Sequence, residues 1–248
     1  MSYNPFSLEG KTILVTGASS GIGKGIAEEC AKLGATLIIT GRNEKRLTET
    51  LHNLEGSNHK MIISDLSTEE GINEIIKDLP KLDGLLLAAG IVEMWPVLFA
   101  TKEKFEKNFS VNFYSPIELM RLIIKKKLYN VGFSIVAIDS IAGSSDFCPA
   151  NGTYGAGKAA LKAFLKYAAV EMAPRKIRIN TISPGFIYTP MFSEGVIEKE
   201  KLEETMQKIK LKRWGNPFDI ACGAIYLLSD ASSYVTGTDI CIDGGYTI

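Results

Sequence analysis

The sequence Lys11-Thr-Ile-Leu-Val-Thr-Gly-Ala-Ser-Ser-Gly-Ile-Gly23 decides the fold of this protein. Its first six residues are rich in β-branched side chains, which favours a short strand, and glycines stand at positions 17, 21 and 23. The apolar residues that follow recur with helical spacing up to Gly34, a natural helix end. Strand, glycine turn and helix in this order predict a phosphate site, because free N–H groups and the helix dipole attract an anion. A plain tight turn has similar spacing, so this stretch needs support from the rest of the chain.

The alternation of strands and helices continues to the end of the chain. Further strands are predicted at 36–40, 61–66, 82–89, 133–138, 177–182 and 238–242. Helices are predicted at 43–54, 68–79, about 101–128, after Tyr154, within 183–215 and at 217–228. No change of composition marks a linker. The sequence therefore predicts a single α/β domain over residues 1–248, a Rossmann-type doubly wound parallel sheet of about seven strands with helices on both faces.

Composition excludes several classes of function. Lysine plus arginine and aspartate plus glutamate both number 28, so neither nucleic acid nor an anionic membrane is expected as a partner. No apolar run is long enough to span a bilayer, and the first ten residues lack the apolar core of a signal peptide. These features predict a soluble, cytoplasmic protein.

Cysteine and histidine are too few and too scattered for most metal or nucleophile chemistry. The four cysteines show no Cys-x-x-Cys pair, which favours reduced, buried thiols. The two histidines both lie in a polar stretch. We therefore expect no metal site and no Ser-His-Asp triad.

Tyr154 and Lys158 are four residues apart on a predicted helix, so their side chains share one face. A general acid–base works best near the operating pH, and a tyrosine has a pKa of about 10. One positive charge some 4 Å away supplies roughly the 4 kcal/mol that would bring this pKa near 7. Ser140 ends a buried strand, where its hydroxyl could hold a substrate oxygen. The alternative for Tyr-x-x-x-Lys alone is an ordinary surface pair.

Ligands of doubly wound sheets bind at the carboxyl ends of the strands, and the candidate residues all fall there. They are Gly17 to Gly23 after the first strand, Gly41 and Arg42 after the second, Asp65 in the third, Ala89 and Gly90 after the fourth, Ser140 after the fifth, and Pro184 and Gly185 after the sixth. This convergence favours a functional site over unrelated structural roles.

From Leu8 to its end, the chain resembles the short-chain dehydrogenase/reductase family. The matching residues are Thr16-Gly17-x-x-x-Gly21-Ile22-Gly23, Asp65-Leu66, Ala89-Gly90, Asn112, Ser140, Tyr154-x-x-x-Lys158 and Pro184-Gly185. The resemblance implies a catalytic tetrad of Asn112, Ser140, Tyr154 and Lys158. Lys158 would also hold the nicotinamide ribose, and Asn112, at a bend in the long helix, would anchor a water of the proton relay. For Asn112 alone, a buried amide satisfied by backbone is the alternative.

The resemblance also implies a set of cofactor contacts. They are Gly17, Ser19, Ser20, Gly21, Ile22, Gly23, Asp65, Leu66, Ala89, Gly90, Tyr154, Lys158, Pro184, Gly185, Ile187 and Thr189. One departure concerns the fourth strand, where the family has Asn-Asn-Ala-Gly or Asn-Ala-Gly and this chain has Leu87-Ala88-Ala89-Gly90. We expect another polar group or a water to replace the missing asparagine.

The second strand bears on which nicotinamide cofactor binds. An NAD site usually places a carboxylate there, about 20 residues past the glycines, and this chain has none before Glu44. Arg42 stands in position to bind a 2′-phosphate instead. NADP(H) is therefore the predicted cofactor, and NAD(H) stays an alternative. If Arg42 does not bind the cofactor, it is an ordinary solvated residue of the loop.

The C-terminal third resembles 3-oxoacyl-[acyl-carrier-protein] reductases of fatty acid biosynthesis, through Arg213-Trp-Gly-Asn-Pro217, the segment 232–237 and Asp243-Gly-Gly245. The predicted reaction interconverts a carbonyl and a secondary alcohol. Alcohol, sugar and steroid dehydrogenases share that tail and are the alternatives. A cofactor-binding regulator without turnover would not need the tetrad, and a structural protein would leave the convergent polar residues unexplained.

Three further predictions concern substrate and partners. The segment at about 186–214 should cover the substrate, with Met191, Phe192, Val196, Ile197, Met206 and Ile209 as its apolar lining or as the core face of a helix. The apolar segment 226–248 predicts a homotetramer, or else a tail folded on its own core. An acidic acyl carrier protein would dock on Lys125-Lys126-Lys127 and Arg175-Lys176 at the rim of the cleft, although the helix dipole alone also explains a lysine run there.

Overall fold

A computed structural model describes residues 3–189 and 199–248 of the chain. In these ranges, seven strands form one parallel sheet: β1 Thr12–Thr16, β2 Thr36–Gly41, β3 Lys60–Ile63, β4 Leu82–Leu87, β5 Tyr129–Ile138, β6 Arg178–Pro184 and β7 Asp239–Ile242. Their order across the sheet is β3-β2-β1-β4-β5-β6-β7. The predicted doubly wound parallel sheet is confirmed.

The chain reverses its direction across the sheet at β1, which pairs with β2 on one side and with β4 on the other. The helices that follow β1 and β4 therefore lie on opposite faces of the sheet, and a crevice forms above the ends of these two strands. In open α/β sheets this switch point is where ligands bind.

Helices cover both faces of the sheet: α1 Gly21–Lys32, α2 Glu44–Asn53, α3 Glu69–Lys77, α4 Lys102–Phe109, α5 Ser115–Lys125, α6 Gly152–Met172, α7 Lys199–Lys208 and α8 Pro217–Leu228. The core on one face contains buried residues of α1, α2 and α8, including Ile26 and Ile220. The core on the other face contains residues of α3, α5 and α6, including Ile75 and Leu161. The inner strands therefore bury both of their sides, which explains why β4 and β5 are almost continuously apolar.

The long helix predicted over 101–128 is interrupted where the bend at Asn112 was expected. One turn of π-helix, Ser110–Tyr114, separates α4 from α5. The Ser115 hydroxyl donates a hydrogen bond of 2.5 Å to the Ser110 carbonyl and stabilises this turn. π-turns inside helices are frequent at functional sites.

Two strand boundaries differ from the prediction by more than two residues. β3 ends at Ile63 rather than at residue 66, because the Asp65 carboxylate accepts the Ser67 N–H at 2.9 Å and closes a turn. β5 begins at Tyr129, four residues early, and Tyr129 pairs with Leu82 across a register shift. Within the described ranges, no helix is long and apolar enough to cross a membrane.

Candidate active site

A cleft of about 1260 Å³ opens at the carboxyl ends of the strands. Its lining includes Ser140 and every predicted cofactor contact: Gly17, Ser19, Ser20, Gly21, Ile22, Gly23, Arg42, Asp65, Leu66, Ala89, Gly90, Tyr154, Lys158, Pro184, Gly185, Ile187 and Thr189. Asn112 lies behind this lining. Residues that are dispersed over most of the sequence thus meet in one concave surface, as the sheet topology requires.

The glycine turn at the start of α1 fits the phosphates of a dinucleotide. Ser20 precedes the helix in an extended conformation and makes no side-chain cap, so the first N–H groups of α1 are available to an anion. Gly17 has φ +68°, and a side chain at this position would come within 2.7 Å of the Ala89 Cα atom. Only glycine allows the two loops to approach this closely.

The Thr16 hydroxyl joins the ends of β1 and β4, where the usual asparagine is missing. It accepts the N–H groups of Ala88 at 3.0 Å and Ala89 at 3.2 Å, and it donates to the Leu86 carbonyl at 3.3 Å. This side chain is a polar group that satisfies the backbone of the departing segment, in agreement with the expectation from the sequence.

Tyr154 lies in the first turn of α6, beside Ser140 at the end of β5. The Ser140 hydroxyl lies close enough to the Tyr154 hydroxyl to act against the rise of that tyrosine's pKa, and its oxygen accepts the Ala142 N–H at 3.2 Å. Burial in the site raises the pKa of Tyr154 to about 12; the Ser140 hydroxyl opposes this effect and the nearby Asp139 carboxylate adds to it. The pKa near 7 predicted from the sequence is therefore wrong for the chain by itself, because desolvation of the buried phenol is the largest effect on this pKa.

Lys158 follows Tyr154 by one helical turn and is only 5% exposed. Its ammonium donates a hydrogen bond of 2.8 Å to the Ile138 carbonyl and lies 5.8 Å from the centroid of the Tyr154 ring. Burial lowers the pKa of Lys158, and Asp139 partly restores it. The i, i+4 spacing thus brings the two groups together on one face of α6.

Asn112 is fully buried in the π-turn, and its amide is bonded to the segment after β4. Its Oδ1 accepts the Ile91 N–H at 3.0 Å, and its Nδ2 donates to the Ile91 carbonyl at 2.9 Å and to Asn108 Oδ1 at 3.0 Å. A side chain at Gly90 would come within 2.9 Å of Asn112 Oδ1 and 3.7 Å of Lys158 Nζ. Asn112 therefore fixes the backbone segment at Gly90 and Ile91 that faces Lys158. This arrangement matches the alternative given for Asn112, a buried amide that is satisfied by backbone.

The end of the cleft away from Tyr154 is cationic. The Arg42 side chain is 64% exposed, and its guanidinium lies 3.9 Å from the Asp65 carboxylate. Hydrogen bonding from the Ser67 hydroxyl is the main cause that lowers the pKa of Asp65, with a smaller contribution from Arg42. Arg46, one turn into α2, lines the same end. The sequence reasoning missed Arg46, although its i, i+4 spacing from Arg42 was visible.

The other end of the cleft has an aromatic wall that the sequence did not predict. The Phe186 ring contacts Trp214 at 5.4 Å and Tyr246 at 4.9 Å between centroids, both nearly edge to face. Tyr246 is hydrogen-bonded to Asp146, whose pKa is raised by burial. These residues come from three irregular segments, whose meeting has no periodic signal in the sequence.

The segment predicted to cover the substrate is partly described. Ile209 is buried, Met206 is half-buried, and Leu202, Thr205 and Lys208 line the cleft. Met191, Phe192, Val196 and Ile197 lie outside the described residues. The closing of this segment over a substrate stays a prediction.

The cations proposed for carrier docking do not lie at the rim of the cleft within one chain. Lys125-Lys126-Lys127 precede the first residue of β5, and Arg175-Lys176 precede the first residue of β6. The cleft opens at the opposite ends of these strands. A helix that connects two parallel strands ends at the edge of the sheet away from the ligand. The prediction from the sequence did not take this rule into account.

Comparison with known proteins gives the family. A family model described as Enoyl-(Acyl carrier protein) reductase matches residues 17–247. Dehydrogenase/reductase SDR family member 6 of Rattus norvegicus is 31% identical over 97% of this chain and 99% of its own. The chain belongs to the short-chain dehydrogenase/reductase family. The resemblance seen in the sequence is confirmed.

Other members of the short-chain dehydrogenase/reductase family match with equal coverage. The 3-oxoacyl-[acyl-carrier-protein] reductase of Rickettsia felis is 39% identical over 96% of this chain and 97% of its own. A crystal structure assigned as a short-chain alcohol dehydrogenase of Sinorhizobium meliloti has a TM-score of 0.91 at 31% identity and covers 98% of both chains. One assigned as an NAD(P)-dependent gluconate 5-dehydrogenase of Beutenbergia cavernae, with NADP bound, has a TM-score of 0.88 at 29% identity, covering 98% and 99%. This family member is therefore an NAD(P)-dependent oxidoreductase that acts on CH–OH groups.

Proposed function

We propose that the protein is an NADP(H)-dependent 3-oxoacyl-[acyl-carrier-protein] reductase that acts through Asn112, Ser140, Tyr154 and Lys158. The observation that carries the proposal is the meeting of Ser140, Tyr154 and the Lys158 ammonium in the same cleft as the glycine turn. The nicotinamide, when bound, supplies the hydride for reduction or accepts it for oxidation.

Each residue of the tetrad has a distinct task in this proposal. The Ser140 and Tyr154 hydroxyl groups hold the carbonyl oxygen of the substrate, and Tyr154 donates its proton to that oxygen as the alcohol forms. Lys158 stabilises the resulting phenolate through its positive charge and holds the ribose of the cofactor. Asn112 keeps the Gly90–Ile91 backbone beside Lys158 through its two hydrogen bonds to Ile91.

The choice of NADP(H) over NAD(H) is supported by charge at the end of the cleft away from Tyr154. Arg42 and Arg46 both line it, and no carboxylate follows β2 before Glu44. Two guanidinium groups there suit a 2′-phosphate, which carries between one and two negative charges. The Asp65 carboxylate near Arg42 would turn toward the adenine, as the family resemblance implies.

The 3-oxoacyl substrate is supported by the names of several relatives, among them the reductase of Rickettsia felis. The aromatic wall of Phe186, Trp214 and Tyr246 offers an apolar surface for an acyl chain. A second candidate, reduction of an enoyl thioester, is favoured by the description of the matching family model. Small free alcohols, sugars and steroids are further alternatives.

An acidic carrier would dock, on this proposal, at the substrate end of the cleft rather than at the opposite edge of the sheet. Lys208 lines the cleft, and the exposed Lys210 follows it at the end of α7. Cations at a rim steer an acidic partner and raise its rate of encounter. Lys208 is also close enough to Asp146 to influence the pKa of that carboxyl group.

The assembly that we propose is a cytoplasmic homotetramer. One exposed apolar face is formed by Tyr114 of the π-turn and by Phe164, Tyr167 and Val170 of α6. The other face is the sheet edge at β7 with the residues around Tyr234, which is fully exposed. Two separate faces of this kind allow each copy to pair with two others, as a closed tetramer requires.

The experiment that tests the proposed function is a substrate panel followed by NADPH absorbance. It compares an acetoacetyl thioester, a crotonyl thioester, gluconate-type sugars and a keto-steroid. The reverse direction is assayed with the oxidised cofactor and the corresponding product of each compound. The proposal expects the highest kcat/KM for the acetoacetyl compound. A higher value for the crotonyl compound would establish enoyl reduction instead, and cofactor binding without turnover on any compound would indicate a regulator.

A further inference from the structure

A buried acid–lysine cluster lies directly beneath the Tyr154 end of the cleft. Lys162 stands one turn after Lys158 on α6, and its Nζ lies 3.0 Å from Asp139 Oδ2 and 3.0 Å from Asp239 Oδ2. It also donates a hydrogen bond of 2.9 Å to the Ser183 hydroxyl. Asp139 is 2% exposed. No step of the proposed mechanism uses these groups.

Structure alone does not explain why charges are buried at this point. The cluster ties α6 to the ends of β5, β6 and β7, a task that apolar side chains of similar volume would perform as well or better. Removing two charges from water is costly, and a buried ion pair often contributes no net stability. A role for the charge itself is therefore the better explanation.

Asp139 stands between the two backbone positions that hold the reacting groups. Ile138, before it, accepts the hydrogen bond of the Lys158 ammonium. Ser140, after it, lies beside the Tyr154 hydroxyl and acts on its pKa. The charged and titratable groups that face Asp139 are Lys158, Lys162 and Tyr154 of α6, and Asp239 of β7 lies across Lys162.

The negative charge of Asp139 acts on both reacting groups in the same sense. It adds to the burial that raises the pKa of Tyr154, and it opposes the burial that lowers the pKa of Lys158. The adjacent Lys158 and Lys162 ammonium groups counteract the desolvation that raises the pKa of Asp139 itself. The carboxylate therefore opposes the loss of a proton from either member of the pair.

We propose that Asp139, held ionised by Lys162, is a positioning residue that keeps the proton on Tyr154 and the charge on Lys158, and thereby biases the site toward carbonyl reduction. Because it takes Tyr154 as the proton donor, the proposal rests on the proposed function. Reduction needs a protonated tyrosine, whereas oxidation needs its phenolate. The carboxylate thus favours the form that starts the reduction.

The test measures pH profiles of kcat/KM in both directions for the parent protein, Asp139→Asn and Asp239→Asn. Asp139→Asn removes a negative charge, so the pair should lose protons at lower pH. We expect the alkaline limb of reduction and the acid limb of oxidation both to move down by on the order of one pH unit. Asp239→Asn removes a carboxylate from the same cluster but away from Tyr154, and its limbs should stay within a few tenths of a unit of the parent.

If the limbs of the pH profiles stay at the parental pH in Asp139→Asn, or move equally in both variants, the cluster is only structural. Asp139→Ser is a second neutral variant that cannot overpack the site, and it serves if Asp139→Asn does not fold. Tyrosine labelled with ¹³C at Cζ gives a readout without cofactor: the Tyr154 phenolate signal, identified by its loss in Tyr154→Phe, should appear at lower pH in the neutral variants. If the parent turns over and Tyr154→Phe does not, an unmoved profile overturns this proposal while the proposed function stands.

Discussion

The Lys158 ammonium lies 5.8 Å from the centroid of the Tyr154 ring, and the two side chains share one face of α6. The ammonium is fixed there by the Ile138 carbonyl at 2.8 Å. At this distance the positive charge stabilises a phenolate, while burial by itself favours the neutral phenol. In the chain by itself Tyr154 therefore stays protonated at neutral pH, which is the form that the proposed proton donor requires.

Tyr154→Phe should remove nearly all turnover while cofactor affinity stays within about twofold, because only the proton donor is lost. General acid catalysis contributes roughly 10²- to 10⁴-fold, so kcat should fall by at least that range. The measurements are steady-state kcat and titration of NADPH by its fluorescence. Tyr167→Phe, on the exposed side of the same helix, is the matched control and should keep parental rates. Near-normal turnover in Tyr154→Phe would remove this tyrosine from the mechanism.

Lys158→Ala should weaken both turnover and cofactor binding, because the proposal gives this ammonium two tasks. Its loss leaves the Ile138 carbonyl without the 2.8 Å hydrogen bond and the phenolate without a counter-charge. We expect a fall in kcat of roughly 10²-fold or more, and an increase in Kd for NADPH of about tenfold. Lys166→Ala, two turns further along the exposed side of α6, controls for the loss of a lysine. A defect in kcat alone would exclude the ribose contact.

The sheet, and the meeting of Tyr154 with Lys158, could be predicted because periodic patterns determine them. Buried parallel strands are continuously apolar, and Tyr154 and Lys158 meet through helical spacing within a single element. Other parts of the site depend on contacts between elements that are distant in the sequence, and the sequence did not predict them. Asp239 meets Lys162 across 77 residues of sequence, and each of these residues by itself has the pattern of a solvated polar side chain.

The errors of the sequence reasoning have two physical causes. The sequence argument for the pKa of Tyr154 uses one charge at 4 Å and leaves out the desolvation that burial imposes. Desolvation is the largest effect on this pKa in the folded chain. The docking lysines were placed by their position in the sequence. The end of α5 leads into the start of β5, so it lies at the edge of the sheet opposite the cleft.

Arg42→Ala should weaken NADPH binding and leave NADH binding nearly unchanged. A hydrogen bond to a charged group contributes about 1.5–3 kcal/mol, so Kd for NADPH should rise roughly ten- to a hundredfold. Isothermal titration with each cofactor measures the split, and Arg46→Ala should show the same selectivity with a smaller effect. Lys45→Ala, on the same helix but outside the cleft lining, is the control. Equal losses for both cofactors, or a parental preference for NADH, would contradict the NADP assignment.

The proposed homotetramer should give about four times the chain mass of 27.1 kDa in light scattering at micromolar concentration. Tyr167→Glu places a charge in the apolar face of α6, where Tyr167 is 73% exposed in the single chain. Burying an unpaired charge at an interface is strongly unfavourable, so this variant should dissociate to dimers. Lys166→Glu changes charge on the adjacent residue and serves as the control. A parent protein of single-chain mass would rule out the tetramer.

Carrier docking at the end of α7 should make the enzyme prefer an acetoacetyl group on an acidic carrier protein over the same group on a short thioester. The preference should shrink as salt is added, because steering by exposed charges is screened over about 10 Å at 0.1 M. Lys210→Glu, which reverses one exposed rim charge, should lower kcat/KM for the carrier form by roughly fivefold at low salt, corresponding to about 1 kcal/mol, and leave the short thioester unchanged. Arg175→Glu tests the opposite edge of the sheet in the same assay. A loss in Arg175→Glu with none in Lys210→Glu would move the docking surface to that edge, and no carrier preference at low salt would show that the enzyme reduces small molecules.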